Sequence, residues 1–261
     1  MADKKIPVLT GLTSVAPLSN PIVISDLDLV GSKPKTIMAF LRFMKSHAPR
    51  YTELVILGNL FDHWTGDDTM KEAAPIVAQL KHYVSTGHRV VILRGHHDFL
   101  MSEDFARSCG AELLLGPTVI RVMDTDILFA HGDEWCIRDL AYQRWRETVL
   151  DPRWQEAVLS SPIEERLEMI HYEQDIREAE AANPDPLSQT GIIESAVAEA
   201  ARSAGVDRVI HGHTHRPGAH INAIIERWSL PNWDFDNEET HSSKSGWITF
   251  RRPGLPQIQL F

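Results

Sequence analysis

"VILGNLFDHW", residues 55–64, decides how the rest of the chain is read. A β-branched apolar run stops at Gly58, and the loop that follows carries Asn59 and Asp62. A short apolar run closed by glycine reads as a buried strand. Strand-end loops with glycine and spaced oxygen side chains often hold metal in enzymes. Here the first such position holds an amide instead of a carboxylate.

The same pattern recurs on either side. "PIVISDLDL" (21–29) is an apolar strand ending in Asp26 and Asp28, and "HRVVILRG" (88–95) runs into His96, His97 and Asp98. "DILFAHG" (126–132) ends in His131, and "DRVIHGH" (207–213) opens a cluster of His211, His213 and His215. Between the first three strands lie helical patterns. "PKTIMAFLRFMKSHA" (34–48) has Pro34 near its start and Ile37, Phe40, Leu41 and Met44 on one face; "KEAAPIVAQLKHYVSTG" (71–87) is the next. Alternating strands and helices predict an α/β fold with a largely parallel sheet covered on both faces. Further strands are expected at "TVIRVM" (118–123), "AHINAII" (219–225), "RWSL" (227–230) and "GWITF" (246–250). In such folds sites gather at the carboxyl ends of the strands, so five clusters that each follow a strand can converge on one site.

Composition bounds the function. The chain has 261 residues, enough for one domain with an inserted lobe. Its formal charge of −10 argues against nonspecific nucleic-acid binding, which needs a basic footprint. No run of 18 apolar residues exists and the N-terminus has no apolar core of a signal peptide, so a cytoplasmic protein is expected. Cys109 and Cys136 make no metal-type pair and read as free packing thiols.

The ordered blocks "ISDLDL", "ILGNLFDHWTGDD", "LRGHHDFL", "AHGDEWCIRDLAYQRWR", "VIHGHTHRP" and "LPNWDFD" resemble the calcineurin-like metallophosphoesterase superfamily. Within it, they are most similar to the UDP-2,3-diacylglucosamine pyrophosphatases of lipid A synthesis. The resemblance implies a β-sandwich with flanking helices (αββα) over residues 21–261, preceded by an N-terminal extension (1–20) and carrying a helical lobe inserted at about 137–204. It also implies a metal-dependent hydrolase of a phosphoric ester or pyrophosphate. The partners would be a phosphate-containing small molecule or nucleotide-lipid, with peripheral contact at the inner membrane.

By the same resemblance the metal ligands would be Asp26, Asp28, Asn59, His96, His131, His213 and His215. Three of them depart from the superfamily pattern of DxH, GDxxD and GNxD: Asp28 replaces a His, Asn59 the bridging Asp, and His96 an Asn. The inventory is nonetheless two carboxylates, one amide and four imidazoles, as in the family. A bridging carboxylate serves two cations about 3.5–4 Å apart, and a neutral amide is a poor substitute. His96, His131 and His213 would suit Zn²⁺, and Asp26, Asp28 and His215 would suit Mn²⁺ or a similar ion. One ion and two uncoupled ions are both open, as is a decayed site in a non-catalytic metal- or nucleotide-binding relative acting through a partner.

His97 matches the superfamily position of a proton donor to the leaving group; Asp62 and Asp98 match positions that orient metal-bound imidazoles. Asp139 and Tyr142 match residues near the family's head-group site, and Arg94, Arg138 and above all Arg216 are candidate phosphate partners. The span from Ile137 to Ala204 reads as helical, broken at "NPDPLSQTG" (183–191), and contains no lysine. Its acidic "EERLEMIHYEQDIREAEAANPDP" (164–186) stands where the family carries a basic segment. Leu159, Ile163, Leu167, Met169 and Ile170 there would line either an acyl cleft or a helix core.

Overall fold

The computed structural model describes residues 15–182, 191–237 and 245–261. The first 14 positions of the expected N-terminal extension and most of the break at 183–191 lie outside them. Two sheets stack face to face. The strands β1 (Pro21–Ile24), β2 (Glu53–Leu57), β3 (Arg89–Leu93) and β4 (Glu112–Leu114) run parallel, and β10 (Gly246–Arg251) and β11 (Leu255–Leu260) complete a six-stranded sheet in the order β11-β10-β1-β2-β3-β4. The second sheet has the order β5-β6-β7-β9-β8, from β5 (Thr118–Val122), β6 (Thr125–Ala130), β7 (Arg208–His211), β8 (Gly218–Ile221) and β9 (Glu226–Ser229).

Side-chain alternation explains the layering. Ile22, Ile24, Leu54, Ile56, Val90 and Ile92 point to one face of the first sheet, under α1 (Pro34–Ser46) and α2 (Ala74–Ser85). Val23, Val55, Leu57, Val91 and Leu93 point to the other and pack on Ile120, Val122, Ile127, Phe129 and Ile210 of the second sheet. With both faces covered, β1 and β2 are buried along their whole length, which is why they read as unbroken apolar runs. The outer face of the second sheet, Leu128, Ala130 and Val209, is covered by Ala196, Val197 and Ala201 of α7 (Glu194–Ala204). The expected αββα order of layers is present.

The expectation of a largely parallel arrangement is corrected to two mixed sheets. β5 and β6 are separated by only Met123 and Asp124, a connection that permits only antiparallel pairing. β10 and β11 are likewise joined by a short turn and pair antiparallel. Leu18 is buried and bonds to the second sheet, its N–H to Arg121 O at 2.8 Å, just before the chain enters β1 of the first sheet.

Between β6 and β7 stand α4 (Leu140–Val149), α5 (Pro152–Ser160), α6 (Ile163–Ala182) and α7. α4 and α6 pack together, and Tyr142, Trp145, Val149, Val158 and Ile170 join the main core. Met169 packs against that core, whereas Leu159 and Ile163 stay exposed. Among the described residues no helix is long and apolar enough to cross a membrane.

Candidate metal centre

The carboxyl ends of β1, β2, β3, β6 and β7 meet at one edge of the sandwich, and all five polar clusters follow them there. The chain has to turn sharply at each end. Among the described residues six non-glycine residues have positive φ, and five are expected ligands: Asp26 (53°), Asp28 (45°), Asn59 (53°), His213 (62°) and His215 (54°). Asn, Asp and His tolerate this left-handed region better than most residues, yet it still costs about 1–3 kcal/mol per residue. Clustering of that cost at one edge marks a built site.

His96, His131 and His213 each offer a ring nitrogen within 4.8 Å of the others. His131 is fully buried, and its Nδ1–H donates to Leu57 O at 2.8 Å. That bond fixes the tautomer and leaves Nε2 for the centre, where it stands 2.9 Å from His96 Nδ1. Burial opposes charge on His131, but Asp26 and Asp133 outweigh it and raise its pKa. Burial, followed by repulsion from His131, lowers His213 to about 4, so it stays neutral. Its Nδ1 is buried and has no hydrogen-bond partner. Gly58 is required beside this set, since a Cβ there would collide with the His131 ring.

The carboxylate side is organised differently. Asp26 is wholly buried; Oδ2 accepts from Ser25 Oγ (2.6 Å) and His213 N (2.9 Å), and Oδ1 accepts from Asn59 Nδ2 (3.4 Å) and faces His215 Nε2 (3.5 Å) and His131 Nε2 (3.9 Å). Burial works against its charge, but His131, His215 and Ser25 overcome that and hold its pKa well below the carboxylate range. Asn59 turns its oxygen to His97 N–H (3.1 Å) and its amide hydrogens to Asp26. Gly95 has no room for a Cβ because the Asn59 amide fills that space. Asp28 Oδ1 lies 3.0 Å from His97 Nδ1, and Asp28, Asp62 and His97 form a second donor group. Asp28 is thus grouped with His97 and Asp62, and Asp26 with His215 and the imidazoles.

The donor chemistry decides which occupant fits. The three imidazoles, with one tautomer fixed and one buried nitrogen unpaired, fit a transition ion such as Zn²⁺. A pair bridged at position 59 does not fit, because the amide there presents hydrogens toward Asp26.

The remaining expected residues fall around this centre. Asp98 accepts from Leu60 N (2.8 Å) and Gly95 N (2.6 Å), bracing the loops after β2 and β3; burial raises its pKa against those bonds. Asp62 lies against His63 (3.1 Å) and Lys33 (3.8 Å). Arg94 donates to Phe99 O (2.7 Å) and Met101 O (3.3 Å), a loop brace. Asp139 caps α4, accepting from Tyr142 N at 3.1 Å, and the Tyr142 hydroxyl donates to Asp133 Oδ2 at 2.9 Å. Arg138 and Arg216 are exposed, and Arg216 adjoins His215 at the rim.

Three sets of contacts around the centre are not visible in the sequence. Asp133 sits between the Tyr142 hydroxyl and Arg146 Nε (2.8 Å); burial would raise its pKa, but Arg146 lowers it. Arg166 reaches from α6 to Thr65 O (3.1 Å) and Asp68 (2.6 Å), tying that helix to the loop after β2. His211 is buried between Gly212 O, which it contacts through Nδ1 (2.8 Å), and Arg227 (3.0 Å to Nε2). Burial pushes its pKa down to about 3.

A calcineurin-like phosphoesterase model matches residues 22–217. The UDP-2,3-diacylglucosamine hydrolase of Bordetella pertussis is 38% identical over 244 residues, covering 90% of this chain and 93% of that one. The enzyme of the same name from Stenotrophomonas maltophilia is 40% identical over 240 residues, 87% of this chain and 96% of that one. Among solved structures, an archaeal phosphodiesterase aligns with a TM-score of 0.47 at 9% identity (93% and 99% of the two chains). Zinc-bound Vps29 from Entamoeba histolytica aligns at 0.43 and 13% identity (93% and 98%). The family match over most of the chain, with relatives above a third identical along nearly their whole length, places this chain in the calcineurin-like phosphoesterase family, as a homologue of the UDP-2,3-diacylglucosamine hydrolases.

Proposed function

We propose that this chain is a metal-dependent phosphoesterase with one principal ion, held by His96, His131 and His213, and that its substrate differs from UDP-2,3-diacylglucosamine. The observation that carries the reading is the convergence of three ring nitrogens with the His131 tautomer fixed by Leu57 O and His213 Nδ1 left unpaired. A bound divalent ion supplies positive charge for phosphoryl oxygens and acidifies water. The protein's own groups do the rest. His97, whose Nδ1–H is held by Asp28, would in its imidazolium form carry on Nε2 the proton for the leaving oxygen. Arg216 at the rim offers a fork for a phosphate or carboxylate. Asp139 and Tyr142, the other expected head-group contacts, hold α4 in place beneath the site. Asp26 and His215, 3.5 Å apart, would add an oxygen and a nitrogen donor from the carboxylate side, a set that would suit Mn²⁺. The helices α4–α6 form the inserted lobe, and the protein acts in the cytoplasm with at most peripheral membrane contact.

The acidic sequence of α6, with Glu164 and Glu165 in its first turn, motivates the change of substrate. Each charge-assisted bond to phosphate lost from a basic lobe removes roughly 1.5–3 kcal/mol. Two such losses lower affinity by about a hundredfold or more. Release of UMP from UDP-2,3-diacylglucosamine, measured with Mn²⁺ or Zn²⁺ beside the Bordetella pertussis relative, is expected at least about a hundredfold below that control. Equal turnover would restore the relatives' substrate. Binding without turnover would favour a non-catalytic nucleotide-binding role, the reading that Asn59 at the bridging position supports.

A further inference from the structure

The sulfur of Cys136 lies 3.4 Å from His213 Nε2. Cys136 is buried, and its main chain is fixed on three counts: its N–H donates to Asp133 O (3.2 Å), while its carbonyl accepts from Asp139 N (3.0 Å) and Gln143 Nε2 (3.2 Å). The backbone that carries the sulfur is therefore anchored beside the imidazole.

A neutral imidazole carries one proton, so this contact has two forms. If the thiol donates to Nε2, the ring proton sits on Nδ1, which is buried without a partner. A buried N–H without an acceptor loses the full desolvation free energy of that group. If instead Nε2–H donates to sulfur, Nδ1 presents a lone pair, and a cation satisfies it. His131 is arranged in the same sense, one ring N–H on a protein acceptor and the other nitrogen turned to the centre.

We propose that Cys136 is a positioning residue for the metal centre: its sulfur accepts the Nε2–H of His213 and so aims Nδ1 at the ion. This rests on the reading of His96, His131 and His213 as a metal site. Cys136 lies outside the described donor groups, and so it acts through His213 and not as a ligand itself.

Zinc titration of the full chain and its variants, followed by calorimetry, tests the proposal. Cys136→Ala is expected to weaken zinc binding 10–100-fold, the usual loss when a ligand imidazole loses its outer partner. Cys136→Ser, which keeps an acceptor, is expected to recover most of it. In the zinc-loaded wild-type chain, long-range ¹H–¹⁵N spectra should show His213 protonated at Nε2, a readout that needs no variant. Zinc affinity unchanged in Cys136→Ala, or a proton on Nδ1, would overturn the role. A sulfur-to-metal charge-transfer band with Co²⁺ would overturn it as well, by making Cys136 a ligand. A wild-type chain that takes up no zinc would overturn the metal reading itself and this role with it.

Discussion

The two halves of the centre received the same treatment in sequence and came out differently in structure. On the imidazole side, His96, His131 and His213 converge, with His131 Nε2 2.9 Å from His96 Nδ1 and His213 Nδ1 left without a partner. On the carboxylate side, Asp26 has already recruited Ser25, Asn59 and a backbone N–H, and Asp28 has recruited His97. A buried carboxylate attracts every nearby donor because its charge is costly to leave unpaired, whereas a neutral imidazole does not. Exchanging ligand types among seven positions thus conserves the inventory but not the connectivity. The imidazole half keeps one buried nitrogen, His213 Nδ1, without a partner; in the carboxylate half Asp26 and Asp28 both have theirs.

The largest effect should come from the brace beneath both halves. Asp98→Ala strands the buried N–H groups of Leu60 and Gly95. At about 1–3 kcal/mol for each unpaired group, a loss of about 3 kcal/mol in urea denaturation is expected. A loss under 1 kcal/mol would mean that the two loops hold their own geometry and the halves are independent.

Asn59→Asp sharpens the comparison at its weak side. A carboxylate at 59 removes the donor now facing Asp26 and offers a bridge. Occupancy of a second ion by Mn²⁺ should rise from substoichiometric toward one, with a gain of about tenfold or more in hydrolysis of a generic phosphodiester, the scale of a restored ligand-shell contact. Unchanged occupancy would show that Asp28 and His97, not Asn59, close that half.

The smallest effect is a control at the opposite end of β2. Glu53 accepts from Asn20 N (2.9 Å), Ser19 N (3.1 Å) and Thr52 Oγ1 (2.6 Å). Burial opposes its charge, but these donors win and lower its pKa below the ordinary 4.5. A depressed carboxyl contributes stability fully above the ordinary value and loses it as pH falls through the folded one. Glu53→Gln should therefore cost about 1 kcal/mol at pH 7, with the difference shrinking below pH 4.5. Metal uptake should not change. A variant equally destabilised at pH 3 and 7 would refute the charge argument.

Legibility in the sequence followed the same division. Strands buried on both faces, such as "ELVIL" of β2, announced themselves as apolar runs, and the histidines after them marked the site. β4, three residues long, and β11, whose Leu255, Ile258 and Leu260 are separated by Pro256 and two glutamines, offered no unbroken apolar run. The short α3 (Glu103–Cys109) also passed unnoticed, although Ser102 caps it. Ligand types could be listed from sequence, but not their outer partners. Leu57 is 74 residues from His131, and Cys136 is 77 from His213. Neither contact leaves a local pattern, and one of them depends on a backbone carbonyl that every residue possesses.

Zinc stoichiometry by calorimetry, with the ion located by anomalous scattering, tests the central claim most directly. One tightly bound ion at His96, His131 and His213 is expected in the wild-type chain, lost in His131→Ala and kept in Asp28→Ala. A wild-type chain that remains metal-free after incubation with Zn²⁺ and Mn²⁺, or an ion that depends on Asp28 and ignores His131, would contradict it.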